Sequence, residues 1–494
     1  MTGLPRRNLF RVTSPAYLAA GAALLLAASA VPARAEVPPG PAKTLAEKMS
    51  RSVTGQNAWR HLEAISRATE ANGGHRADGS PGYEASAQYV SRTLTAAGYQ
   101  VKRQEFSFPD YDILAEKASV TAPEARTLKP IIARFSVSTP VGGLTAGVGV
   151  PSGKSTGCSA DDYAGADVKG KVVLVDVNDC FITQKQIVAA QVGAAAVLMN
   201  VNAPNPDLNL RYRMVPPEDA RIPIATLSRG EAERLKADVA KGPVTVNVEL
   251  RGNNKTTKTY NLIADTPTGR ADNTVVMGAH IDSVDTTPGM NDNGAASAML
   301  LETAVRMAPE WKHLKNRVRF AWWAAEEKGI SGSQYYVDQL SAEQRKQTAL
   351  YLNLEMIGSP NFARQVYNGR TSTGAGPAGS ERISELINGH FAARKLPTVG
   401  LELDGRSDHS PFIAAGIPAG GVNAGSDKLK SPEWAQLFGG KAGEMLDPCY
   451  HQACDTLANV NRTIFEQNGR AMAWAAGRFG VDTSDVNGKG GEVK

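Results

Sequence analysis

The chain has 494 residues, of which 42% are hydrophobic and 21% charged, with 48 Gly, 28 Pro and only four Cys. That length supports two or three domains with sizeable cores, and the composition excludes wholesale disorder, a collagen-like repeat and a disulfide-dense scaffold. The formal charge of +5 is concentrated at the start: Arg6, Arg7, Arg11 and Arg34 lie in residues 1–35, which hold no acid, leaving +1 on the remainder. No basic patch stands out, so nucleic acid is not an expected partner.

Residues 1–35 read as a signal peptide. Three arginines precede the apolar stretch Ala16–Val31, and Ala33-Arg34-Ala35 fits a small-x-small cleavage site. The stretch is short for a membrane span of about 20 residues, so the mature chain is expected to be secreted, with no membrane association after cleavage. Arg6-Arg7 ahead of Asn8-Leu9-Phe10 suits twin-arginine as well as Sec export. An oxidising destination permits disulfides. The cysteines form two local groups, Cys158 with Cys180 and Cys449 with Cys454. Four cysteines allow three connectivities, of which proximity favours the two local bridges.

Residues 44–98 carry helical periodicity with a break at Gly79-Ser80-Pro81-Gly82, and 99–122 read as strand. A Gly- and Val-rich stretch follows from Leu128 to about Arg251. Within it, the strands Val172–Val175 and Ala196–Met199 flank a helix over Gln184–Gly193. The polar run Gly252–Lys258 is expected to be a linker. Beyond it, strands at 275–279, 318–324 and 350–356 alternate with helices at 294–307 and 380–387. That alternation predicts an α/β domain, a three-layer α/β/α sandwich on a largely parallel mixed sheet. Ligands in such sheets bind at the carboxyl ends of the strands. From Asp482 the chain reads as a frayed tail.

There are seven histidines, and two of them keep informative company. His280 ends a buried strand in Gly-Ala-His-Ile-Asp-Ser. Residues i and i+2 of an extended segment share a face, so Asp282 can sit behind His280 and fix its metal-binding tautomer. Ten residues on, Asp292 sits in a turn that feeds a helix; it suits a helix cap or a bridging metal ligand. Glu326-Glu327 follows an apolar strand directly. Two adjacent carboxylates there repel and resist burial unless a cation joins them. Glu355 is an acid in an otherwise apolar strand, and His451 lies between Cys449 and Cys454. Two histidines and three carboxylates from separate loops suit two zinc ions with one carboxylate bridging.

In this order, the segments resemble the secreted dizinc aminopeptidases that include bacterial leucyl aminopeptidases and aminopeptidase Y. The resemblance covers about residues 255–480 and includes Gly405–Phe412. It implies one zinc on His280 and Glu355, a second on Glu327 and His451, and Asp292 bridging through a cis Asp292–Asn293 peptide. Glu326 would be the general base, Asp282 the orienter of His280, and Tyr450 a donor to the oxyanion. Arg406 (through its backbone), Glu326 and Glu355 would receive the substrate ammonium, while Asp408-His409 would support the loop. Glu355 departs from the Asp common in the family, which lengthens the reach by one methylene. About 128–254 resembles an inserted, β-rich protease-associated domain, carried by Gly170–Val175, Cys180, Lys185, Gly193-Ala194, Asn200 and Ile222–Ala225. Residues 36–127 would then be the first part of the peptidase domain, 255–480 the catalytic part and 481–494 a flexible tail.

The implied activity is removal of N-terminal residues, large hydrophobic ones such as Leu foremost, from peptides with a free N-terminus, by a monomer. The competing readings are a glutamate carboxypeptidase-like or glutaminyl cyclase-like zinc hydrolase, or a non-catalytic binding protein of the same fold.

Overall fold

The computed structural model describes residues 40–489 except 204, 215 and 216; the signal-peptide reading of 1–35 lies outside the described residues. In the strand Arg270–His280, Val275, Met277 and Ala279 join one core cluster and Val276 the opposite one, all fully buried. A strand covered on both faces needs such an unbroken apolar run. Its neighbours are Asn316–Trp323 and Thr348–Glu355, both parallel to it. Ala419–Asn423 continues the sheet in parallel beyond Thr348–Glu355. Gln365–Tyr367 is antiparallel to Ala419–Asn423 and parallel to the edge strand Val399–Leu401.

The helices Gly40–Ser52, Gly55–Glu70, Pro81–Ala96, Ala295–Met307 and Arg462–Phe479 supply the larger core on one face. Tyr336, Val337 and Phe412 cover Trp323 and Tyr351 on the other. The expected three-layer α/β/α arrangement is present. Helix Pro81–Ala96 starts where the Gly/Pro break predicts, with the Ser80 hydroxyl accepting from Tyr83 N–H.

Two expectations need correction. The polar run Gly252–Lys258 is no linker: it lies inside one strand, Thr245–Asp265, which pairs antiparallel with Val101–Ala122 along nearly its whole length. The N-terminal half of Thr245–Asp265 also pairs with Leu144–Gly149 of the inserted unit, and the C-terminal end pairs with Asn316–Trp323 of the catalytic sheet. Its middle is exposed on both faces as a two-stranded ribbon, so it needs no apolar alternation and its sequence imitates a loop. The tail from Asp482 is also ordered as far as Lys489. Asp482 and Thr483 are buried, Ser484–Asn487 is helical, and Arg478 ion-pairs Asp485 at 2.7 Å.

In the inserted unit, Val172–Asp176, Ala196–Asn200 and Ile224–Leu227 run parallel. The helices Ile182–Gln191 and Arg229–Lys241 accompany them around a separate core. Cys158 pairs with Cys180 and Cys449 with Cys454, the two local bridges.

Candidate active site

The carboxyl ends of three neighbouring parallel strands deliver the site. His280 closes Arg270–His280, Glu355 closes Thr348–Glu355, and Glu326-Glu327 lies just past Trp323. Strand Asn316–Trp323 ends three residues before Glu326, and Ala325 at φ 53° reverses the chain into a turn. The turn, and not strand alternation, separates the two acids. Glu326 Oε2 lies 4.0 Å from His280 Nε2, and Glu327 Oε2 lies 3.2 Å from His451 Nε2.

Asp292 stands between the histidines. Its Oδ1 is 3.3 Å from His280 Nε2 and its Oδ2 is 3.2 Å from His451 Nε2. Glu355 Oε1 approaches His280 Nε2 at 3.5 Å, so the longer arm still reaches. Two groups of prospective metal ligands result, His280 with Asp292 and Glu355, and Asp292 with Glu327 and His451. Asp292 is no helix cap: the helix starts at Ala295, the cap position is Gly294, and the Asp292–Asn293 peptide is cis. Gly289, at φ 63°, opens this turn; a Cβ there would lie 2.5 Å from the Asp292 carbonyl.

The supports are mostly long-range. His280 Nδ1 faces the Asp282 carboxylate at 3.5 Å and the Asp282 carbonyl at 3.2 Å. The two Asp282 oxygens also accept the backbone N–H groups of Glu326 and Glu327, at 3.2 and 3.1 Å. Asp282 therefore holds the acid turn as well as the imidazole, a second task that the His-x-Asp spacing does not reveal. Glu355 Oε2 accepts from Ser407 at 2.7 Å, and Ser407 accepts from Asn353 at 2.9 Å. Asn353 accepts from Tyr351, which accepts from Trp323. A polar chain thus runs from the core to one carboxylate.

Beneath Asp292, Asp455 accepts the backbone N–H groups of Asn291 (2.8 Å) and Asp292 (3.0 Å). Asp447 accepts from the Asn291 and Asn459 side chains. Buried Arg76 donates to the carbonyls of Ile281, Pro288 and Gly289. Sequence reasoning missed Asp455, Asp447, Asn291 and Arg76. The first two stand a few residues from His451, and nothing local marks them.

Burial opposes charge on both histidines, yet the surrounding carboxylates win. Glu355 and Glu326 chiefly raise His280, and Glu327 and Asp292 raise His451, both well above the usual imidazole range. Burial raises Glu326 well above the carboxylate range; His280 opposes this, while Glu355 and Glu327 add to it. Burial likewise raises Glu327, whose Oε1 is buried without a hydrogen-bond partner. Among the described residues, no Lys or Arg ion-pairs with Asp292, Glu326, Glu327 or Glu355. Four carboxylates crowd two histidines with no Lys or Arg paired to them, a donor set that suits a cation.

Tyr450 stacks on His451 with ring centroids 3.9 Å apart and lines the cleft, as do Met356, Leu401 and Leu446. Arg406 also lines it, with its guanidinium paired to Asp427 at 3.2 Å and its backbone N–H donated to Asp404. His409 is buried against Tyr367 and accepts from Gly405 N–H, while Asp408 accepts from Ser333 at 2.5 Å. Both lie outside the two ligand groups and support the loop.

A cleft of carboxylates and histidines at the carboxyl ends of parallel strands is where an α/β fold places a ligand site, and its donor set suits a metal ion. Comparison with known proteins sharpens the class. Residues 261–476 match the model of Peptidase family M28, and residues 142–235 match the PA domain. The "Probable lipoprotein aminopeptidase LpqL" of Mycobacterium tuberculosis is 39% identical over 440 residues, 87% of this chain and 85% of that one. An "Aminopeptidase" of Pseudomonas aeruginosa is 37% identical over 456 residues, 89% and 83% respectively. A solved structure described as "BSAP, a zinc aminopeptidase from Bacillus subtilis" shares the fold with TM-score 0.64. It is 23% identical and matches over 86% of this chain and 94% of its own. The chain belongs to peptidase family M28 and carries an inserted PA domain.

Proposed function

We propose that the chain is an exported dizinc aminopeptidase that removes the N-terminal residue from peptides with a free amine. The observation that carries this reading is the division of Asp292 between His280 and His451, each of which has a second carboxylate of its own. The orphaned Glu327 Oε1 and the crowding of four acids around two histidines fit a metal pair. His280, Glu355 and Asp292 would hold one zinc, and Glu327, His451 and Asp292 the other. The M28 relatives named aminopeptidase and the zinc aminopeptidase of the same fold support the assignment. When bound, the ions supply Lewis acidity at the scissile carbonyl and the attacking water.

The protein's own groups do the rest. Glu326, the acid farthest from the histidines, takes the proton of the attacking water and returns it to the leaving amine. Tyr450, whose phenol has no protein hydrogen-bond partner among the described residues, donates to the developing oxyanion. Asp282 holds His280 and the acid turn in register. Glu326 and Glu355, beside the Arg406 backbone, hold the substrate ammonium. Met356, Leu401 and Leu446 offer an apolar wall to a leucine-sized side chain. The two disulfides suit an oxidising destination outside the cytoplasm.

The test compares leucyl-anilide with its N-acetyl form before and after chelation. Turnover of the free amine alone, lost on chelation and restored by zinc, is expected. Equal turnover of both forms would overturn the aminopeptidase reading.

A further inference from the structure

Lys328 directly follows the two acids, and two side chains from outside the catalytic strands grip it. Arg213 of the inserted unit donates through Nη1 to the Lys328 carbonyl at 2.6 Å. The Lys328 ammonium lies 3.5 Å from Asp110 of the ribbon strand Val101–Ala122, and Arg134 of the inserted unit holds Asp110 at 3.1 Å. Gly329, at φ 91°, packs so closely that a Cβ would stand 2.5 Å from Arg213 Nη1. Arg213 is itself fixed: Arg134 N–H donates to the Tyr212 carbonyl and Met214 N–H donates to the Arg134 carbonyl. Its guanidinium lies 5.0 Å over the Phe135 ring.

The same short segment reaches the opposite wall of the cleft. Leu208, with Val201 and Ala203, forms a small buried cluster with Met445, and Leu210, Tyr212 and Tyr450 pack against it. One stretch of the inserted unit therefore contacts both catalytic loops, the turn of Glu326-Glu327 and the loop of Tyr450-His451. Neither contact takes part in the inserted unit's own sheet.

We propose that Leu208–Met214 is a strap that sets the spacing of these two loops, with Arg213 as a positioning residue for the Glu326-Glu327 turn. The turn is held from inside by Asp282 and from outside by Arg213 and Asp110, so losing Arg213 removes one of its two outer contacts and the one made to its backbone. Catalysis depends steeply on such placement, with about 100-fold lost for roughly 1 Å. The kinetic part of this proposal rests on the aminopeptidase reading; the structural part does not.

The experiment compares full-length wild type, Arg213→Ala and Arg213→Lys by hydrogen exchange and by kinetics on leucyl-anilide. Arg213→Ala is expected to speed exchange of the 326–330 amides selectively and to lower kcat roughly tenfold, with KM within about twofold. Arg213→Lys can still donate to the carbonyl and is expected to recover most of both. Wild-type exchange and kcat in Arg213→Ala, or no recovery with Lys, would overturn the proposal. Should Arg213→Ala raise exchange throughout the chain, Leu208→Ala decides. Faster exchange confined to 445–452 with lowered kcat supports the strap, and unchanged exchange there refutes it. A wild type that is inactive on free-amine substrates would sink the function reading and leave the exchange result to judge the strap.

Discussion

Replacing Glu326 by Gln removes one negative charge and a proton acceptor while preserving the shape of the side chain. Glu326 sits 4.0 Å from His280 Nε2, farther than Asp292 at 3.3 Å or Glu355 at 3.5 Å. Its backbone N–H stays tied to Asp282 whatever the side chain is. The ligand groups, His280 with Asp292 and Glu355 and His451 with Asp292 and Glu327, remain complete. Glu326→Gln is therefore expected to keep two zinc ions per chain. General-base catalysis contributes roughly 10²–10⁴-fold, so kcat should fall by that factor, or about 3–5 kcal/mol in barrier. KM should change less. Glu327→Gln is the contrast: Glu327 lies 3.2 Å from His451 Nε2 with its other oxygen buried and unpaired, so one zinc should bind markedly more weakly. The assay is metal content per chain beside steady-state kinetics for both variants. If Glu326→Gln loses zinc while Glu327→Gln keeps two, the roles are reversed; if both keep full activity, the metal-site reading fails.

Asp455→Asn replaces one of two oxygens that accept the N–H groups of Asn291 and Asp292 with a second donor. Zinc affinity should fall about 10–100-fold, as for other supports of metal ligands, and unchanged affinity by competition titration would contradict the supporting role. Replacing Cys449 and Cys454 together by Ser frees the loop that carries Tyr450 and His451, and should weaken zinc binding, read by competition titration, and cost about 2 kcal/mol of stability; unchanged zinc affinity would contradict the role of the bridge. The Cys158–Cys180 bridge closes 22 residues of the inserted unit, and its loss should cost that unit about 3 kcal/mol, read as an earlier transition in denaturant. Burial, with Arg394 adding, holds His390 down at about 3. Its imidazole is neutral when folded and charged when unfolded between about pH 6.5 and 3, so stability falls as pH drops through that window. At pH 5 this amounts to about 2 kcal/mol relative to neutral pH. His390→Leu should narrow the gap between thermal midpoints at pH 7.5 and 5, and an unchanged gap would refute the assignment.

The residues that meet in the cleft were legible in local sequence wherever a polar residue interrupts an apolar run. His280, Glu326-Glu327 and Glu355 each end or follow a strand buried on both faces, where an unpaired charge is too costly to keep without a cation. The α/β alternation was legible for the same reason, since buried strands and amphipathic helices have different periods. The ribbon strand Thr245–Asp265 was not, because its polar middle is exposed and carries no periodic signal. Two further matters were settled only in three dimensions. The turn at Ala325 sends Glu326 and Glu327 to different histidines. Asp282, Asp455, Asp447 and Arg76 hold the loops of the candidate site through hydrogen bonds to backbone or side-chain groups distant in sequence. The reason is general to such sites: a ligand's identity follows from the charge it must balance, which local sequence displays. A ligand's position is fixed by donors and acceptors that only the folded sheet brings within 3 Å or so.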